Sequence, residues 1–135
     1  MFRIECGVFF RLFQVRRIDV RVTAGGSVIS CTPRNCEHLA RIVQEALTNV
    51  RKHSRARSVT IEVTSTEDRG RIKITDDGQG FRFKGRFTLA QLDARDLGPT
   101  GIKERVRAMR SQLIIESTAG SGASIEIEWP QVTHA

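Results

Sequence analysis

The chain alternates apolar and polar positions early: Ile18, Val20 and Val22 are interleaved with Asp19 and Arg21, Ala24-Gly25-Gly26 breaks the run, and Val28-Ile29 resumes it. That pattern predicts a hairpin. At Thr32-Pro33 the period changes, and Leu39, Ile42, Val43, Ala46, Leu47 and Val50 recur at helical spacing behind a Thr32 or Asn35 cap. Arg51, Lys52 and His53 crowd the last turn, where positive charge meets the negative end of the helix dipole, and Ser54-Arg55-Ala56 ends it. Two strands follow, Val59, Ile61 and Val63, then Ile72 and Ile74, joined by a turn through Glu67 to Gly70. From Asp76 to Gly98 runs a glycine-punctuated connection with one weakly helical piece, Leu89 to Arg95. It is too long for an idle loop in a compact domain. A second helix spans Thr100 to Met109 on Ile102, Val106 and Met109, and a second hairpin joins Leu113–Ser117 to Ile125–Trp129 through Ala119-Gly120-Ser121-Gly122. Residues 1–17 hold four of the seven phenylalanines, fit neither period and stay unassigned, as an upstream remnant or an element added to a sheet edge. The order of elements reads as α+β, helices on one face of a mixed or antiparallel sheet.

Length and composition narrow this further. At 135 residues, with 39% hydrophobic and 27% charged positions, the chain suits one globular domain, not a disordered or collagen-like polymer. The longest charge-free stretch, Val22 to Pro33, contains only three large aliphatic residues, so no segment suits a bilayer span. Arg3, Glu5 and Arg11 interrupt any secretory signal, so a cytoplasmic protein is expected. Cys6, Cys31 and Cys36 lack CxxC spacing and the histidines are scattered, so reduced thiols and no zinc site are expected. The net charge is +7, and arginine supplies 18 of the 22 cationic residues. Its planar fork of donors suits phosphate, but a nucleotide, a nucleic acid and an acidic protein surface all qualify, and scattered surface arginine is the plainer reading.

Four short segments can carry chemistry. Glu45, Asn49 and Lys52 stand at i, i+4 and i+7, a polar stripe beside the apolar face, offering oxygens to a hard cation and a point charge to phosphate. Solvated helix faces carry the same residues routinely. Asp76 to Phe81, DDGQGF, comes straight off a strand, placing an acceptor carboxylate before two glycines that let the backbone approach a ligand; an ordinary Asp-Gly turn has the same letters. Gly98-Pro99-Thr100-Gly101 opens the second helix, whose free N–H groups favour an anion. Gly120 and Gly122 read on their own as a hairpin turn.

Order and spacing together are more specific. RIVQEALTNVRKHS (41–54), DDGQGF (76–81), GPTGIKERV (98–106) and GSGAS (120–124) resemble the ATP-binding domain of two-component sensor histidine kinases, in the branch whose asparagine box reads QEALTN and ends in Lys-His. The resemblance covers about residues 18–130, leaving 131–135 as a tail. It implies the Bergerat fold of the GHKL ATPase superfamily, a two-layer sandwich with helices on one face of a mixed, mostly antiparallel sheet and ATP under a lid. It implies Asn49 as the Mg²⁺ ligand, Lys52 and His53 as phosphate contacts, and Asp76 as acceptor for the adenine amino group. Gly78 and Gly80 would let the backbone approach the base, and Gly98, Thr100, Gly101 and Ile102 would bring the lid and helix start to the nucleotide. Glu45 occupies the general-base position of the ATPase relatives; in a kinase it would orient water at the metal.

Three departures stand out. Asp96-Leu97 precede Gly98 where a further glycine is usual, Pro99 stiffens the lid and removes one N–H, and Ala123 replaces the usual threonine, leaving Ser124 as the substitute hydroxyl. The phosphoacceptor motif, histidine followed by an acidic residue, is missing, because His38, His53 and His134 precede Leu39, Ser54 and Ala135. The expected activity is therefore that of a catalytic domain passing the γ-phosphoryl of Mg·ATP to a histidine on a separate dimerisation domain of a longer parent, and from there to a response-regulator receiver domain. Membrane contact is expected only through an upstream region of that parent. Two alternatives stay open: a stand-alone serine kinase or ATPase of the same superfamily, which Glu45 keeps alive, and a non-catalytic basic module. Nucleic acid is not expected, since the chain has no tyrosine and its phenylalanines do not interleave with basic residues in a recognition motif.

Overall fold

The computed structural model describes residues 18–26 and 31–131. Residues 1–17, the Val28-Ile29 arm of the expected first hairpin, and residues 132–135 of the tail with His134 lie outside them. In chain order the elements are β1 (Asp19–Gly26), α1 (Pro33–Asn49) continued by a π turn (Val50–Ser54), β2 (Ser58–Ser65), β3 (Arg69–Asp76), β4 (Gly85–Thr88), α2 (Leu89–Ala94), α3 (Thr100–Ala108), β5 (Gln112–Thr118) and β6 (Gly122–Pro130).

The six strands form one sheet in the order β1-β2-β3-β6-β5-β4. β1 runs parallel to β2, with Asp19 opposite Ser58, and the chain crosses between them through α1. Every other neighbouring pair is antiparallel. This is the two-layer arrangement with a mixed, mostly antiparallel sheet. The connection between Asp76 and Gly98 differs from its sequence reading, because Gly85–Thr88 pairs with β5 as an edge strand. Its Phe87 is buried, and Thr88 then caps α2 in a reciprocal box with Gln91.

α1 starts where the sequence places it. Thr32 Oγ1 accepts from the Asn35 N–H at 3.1 Å, Pro33 occupies the first turn, and the buried stripe includes Leu39, Ile42, Val43, Ala46 and Leu47. That stripe packs with Ile102 and Val106 of α3 and with Ile61, Ile72, Ile115 and Ile127 of the sheet in one core. Trp129 is fully buried there, over Gly70, where a Cβ would fall 2.3 Å from its Cε2; the strand position opposite Trp129 has room only for glycine. The other sheet face is polar, with Arg69 on Glu128 at 2.9 Å and Arg71 on Glu126 at 2.6 Å. Such exposed pairs contribute at most about 1 kcal/mol each. The expected reduced state of Cys31 and Cys36 is corrected: the capping turn at Thr32 brings their Cα atoms to 5.7 Å and the sulfurs are joined.

Candidate functional site

The cavity is built around the end of β3. Asp76 is half-buried there, and its Oδ1 accepts from the Gly78 N–H at 2.9 Å while Oδ2 takes no hydrogen bond among the described residues. Burial pushes the Asp76 carboxyl above its ordinary pKa, with the Asp77 charge adding to it, against the opposing Gly78 hydrogen bond. Asp77 serves the fold instead. It accepts from the N–H groups of Ser58 at 3.0 Å and Arg57 at 2.8 Å and from the Ser58 hydroxyl at 2.9 Å, and those bonds hold its carboxyl below the usual range.

Close backbone packing fixes the Asp76 turn. Gly122, at φ +88°, lies so near that a Cβ would fall 2.1 Å from the Asp76 carbonyl oxygen. Gly80, at φ +78°, leaves space for the buried Ser117 hydroxyl, which accepts the Phe81 N–H at 2.9 Å. Lys84 Nζ then donates to the carbonyls of Gln79 at 2.8 Å and Phe81 at 2.7 Å. From the helix side, the π turn after Asn49 ends at Arg55 in the left-handed region, φ 55°, and the Gln79 side-chain amide donates to the His53 carbonyl.

These elements enclose a cavity of about 800 Å³. Its apolar lining includes Ala46, Val50, Ile74 and Ile125, and Phe81 and Phe83 stack at 5.0 Å along it. Phe83 meets Phe87 edge-on at 5.4 Å, and Arg95 lies over the Phe87 ring. Leu97, Gly98 and Pro99 form part of the wall, and Arg82 and Lys84 bring positive charge to it. Apolar walls with few polar groups are the usual composition of a small-molecule site.

Asn49, His53, Asp76, Gly80 and Gly98 line this one cavity, and Gly78 adjoins it through Asp76. The remaining candidates lie elsewhere. Lys52 and Thr100 are exposed and outside the lining. Glu45 is pressed against the first turn of α3, where a Cβ on Gly101 would fall 2.4 Å from its Oε2. The Ile102 side chain is fully buried in the core, which corrects any direct ligand contact by that side chain. Ser124 is corrected too: it pairs with Thr75 while its neighbour Ala123, opposite Asp76, lines the cavity, so strand alternation turns the Ser124 hydroxyl to the other face. Sequence reasoning missed Arg82, Lys84, Phe81 and Phe83, although Phe81 closes the DDGQGF motif.

Residues 35–133 match the family described as Histidine kinase-, DNA gyrase B-, and HSP90-like ATPase. The chain is 36% identical over 94 residues to the sensor histidine kinase LiaS of Bacillus subtilis, covering 70% of this chain and 24% of that protein. It is 36% identical over 130 residues to the sensor histidine kinase YdfH of the same organism, covering 94% of this chain and 27% of that one. The chain thus spans about a quarter of the length of these relatives. The crystal structure of the ATP binding domain of PrrB from Mycobacterium tuberculosis superposes with a TM-score of 0.69 at 21% identity, covering 93% of this chain and 88% of that one, a likeness of fold.

Proposed function

The chain belongs to the Histidine kinase-, DNA gyrase B-, and HSP90-like ATPase family, and on that premise we propose that its cavity binds Mg·ATP for a two-component sensor histidine kinase. The γ-phosphoryl goes to a histidine on a separate dimerisation domain of the parent and then to a response-regulator receiver domain, in the cytoplasm. One observation carries this reading: Asn49 on α1 and Asp76 at the end of β3 line the same cavity.

The residues present suit the nucleotide. Asp76 offers a carboxylate oxygen to the exocyclic amine of adenine, and the apolar walls with Phe81 and Phe83 accept the base by stacking. Gly80 and Gly122 keep side chains out of the turn that meets it. Asn49 would supply a hard amide oxygen to Mg²⁺. When bound, it spreads the charge of the triphosphate during transfer. The chain itself positions: His53, Arg82 and Lys84 supply donors along the cavity wall, and Glu45 lies against the start of α3.

Titration with a fluorescent ATP analogue and Mg²⁺ tests the site. Saturable binding is expected, weakened at least tenfold in Asp76→Ala; no saturation, or indifference to the substitution, overturns it.

A further inference from the structure

Lys103 is 7% exposed, and it stands outside the cavity lining just described. A lysine is seldom buried without a partner, because its ammonium loses its hydration. Here Nζ donates to the Leu97 carbonyl at 3.0 Å and pairs with Asp93 at 3.1 Å. One turn further along α3, Arg107 grips the same Asp93 carboxylate. Arg107, then Lys103, hold the Asp93 carboxyl below its ordinary range, so it meets them as an anion. The lysine stem runs beside the lid, 3.7 Å at Cδ from where a Gly98 Cβ would stand. Leu97, Gly98 and Pro99 in turn form a wall of the cavity.

We propose that Lys103 is a positioning residue of the nucleotide site, because its ammonium fastens Asp93 and Leu97 to α3 and so fixes the wall made by Leu97, Gly98 and Pro99. The inference rests on the nucleotide reading. It goes beyond that reading by giving the GPTGIKERV segment two functions, since its glycines shape the helix start while its lysine holds the preceding loop down.

Lys103→Met tests this cleanly, since methionine fills similar space and leaves Asp93, 39% exposed in its side chain, paired with Arg107. Expected are amide hydrogen exchange at 95–98 accelerated about tenfold in the nucleotide-free protein, with β2 and β3 unchanged, and a Kd for Mg·ATP raised about tenfold. Lys103→Arg, which retains the charge and donors, restores most of the affinity. Unchanged exchange at 95–98 overturns the proposal, and so does faster exchange with an unchanged Kd. No Mg·ATP binding by the unaltered chain sinks the nucleotide reading and this role with it. Should Lys103→Met not fold, Asp93→Asn removes the pair from the exposed side; faster exchange at 95–98 with weaker Mg·ATP binding supports the role, and no change in either refutes it.

Discussion

Asp76 and Asp77 are adjacent in the chain yet respond to acid in opposite senses. The Asp77 carboxyl is held below its ordinary pKa by Ser58 and Arg57, so its contribution to stability is complete above the unfolded value and is lost as pH falls through the folded one. Asp76 is raised by burial, so its charged form costs stability, and acidification relieves that cost. Adenine recognition nevertheless wants the carboxylate. Affinity for Mg·ATP is therefore expected to fall on acidification while pH is still above the usual carboxylate range, with that step absent in Asp76→Asn; calorimetric titration across pH checks it. At this scale the motif letters reveal Asn49 and Asp76, because spacing alone puts them on a helix stripe and a strand end. Arg82 and Lys84 escape notice because exposed cations look alike in a chain with 22 of them. Lys103 escapes because its burial depends on α2 and the loop after it, a contact that no local period records.

The hairpin between β5 and β6 does more than turn. Gly122 backs directly onto the Asp76 carbonyl in a left-handed conformation, so Gly122→Ala faces a clash with backbone as well as strain in φ. Loss of at least about 2 kcal/mol is expected, together with weaker nucleotide binding, whereas Gly120→Ala, whose Cβ meets nothing within 4 Å, spares the site and carries only the strain of its own positive φ. Urea denaturation of the two variants separates these outcomes. Long periodic elements, α1, β2, β3 and the β5–β6 hairpin, are legible from hydrophobic spacing. β4 is not, because a four-residue strand with Phe87 as its one inward apolar side chain carries too little period to stand out. The widening of α1 into a π turn is likewise invisible in the run VRKHS, yet it leads directly into the cavity wall at His53.

Taken whole, the chain carries a net charge of +7, and Arg82 and Lys84 bring part of that charge to the cavity wall. Binding of Mg·ATP to the folded state alone, at a hundred times its Kd, stabilises by about 2.7 kcal/mol. For a domain of this size that is a rise in Tm of roughly 8–12 °C by scanning calorimetry, cut to about half or less in Asp76→Ala. No helix among the described residues is long and apolar enough to cross a membrane. The parallel register of β1 has a further spatial meaning. Asp19 lies opposite Ser58, which Asp77 holds, so the chain enters the sheet two strands from Asp76, roughly 10 Å sideways. A segment joined ahead of β1 would therefore leave the sheet at the same end as the Asp76 carboxylate, about two strand spacings away from it.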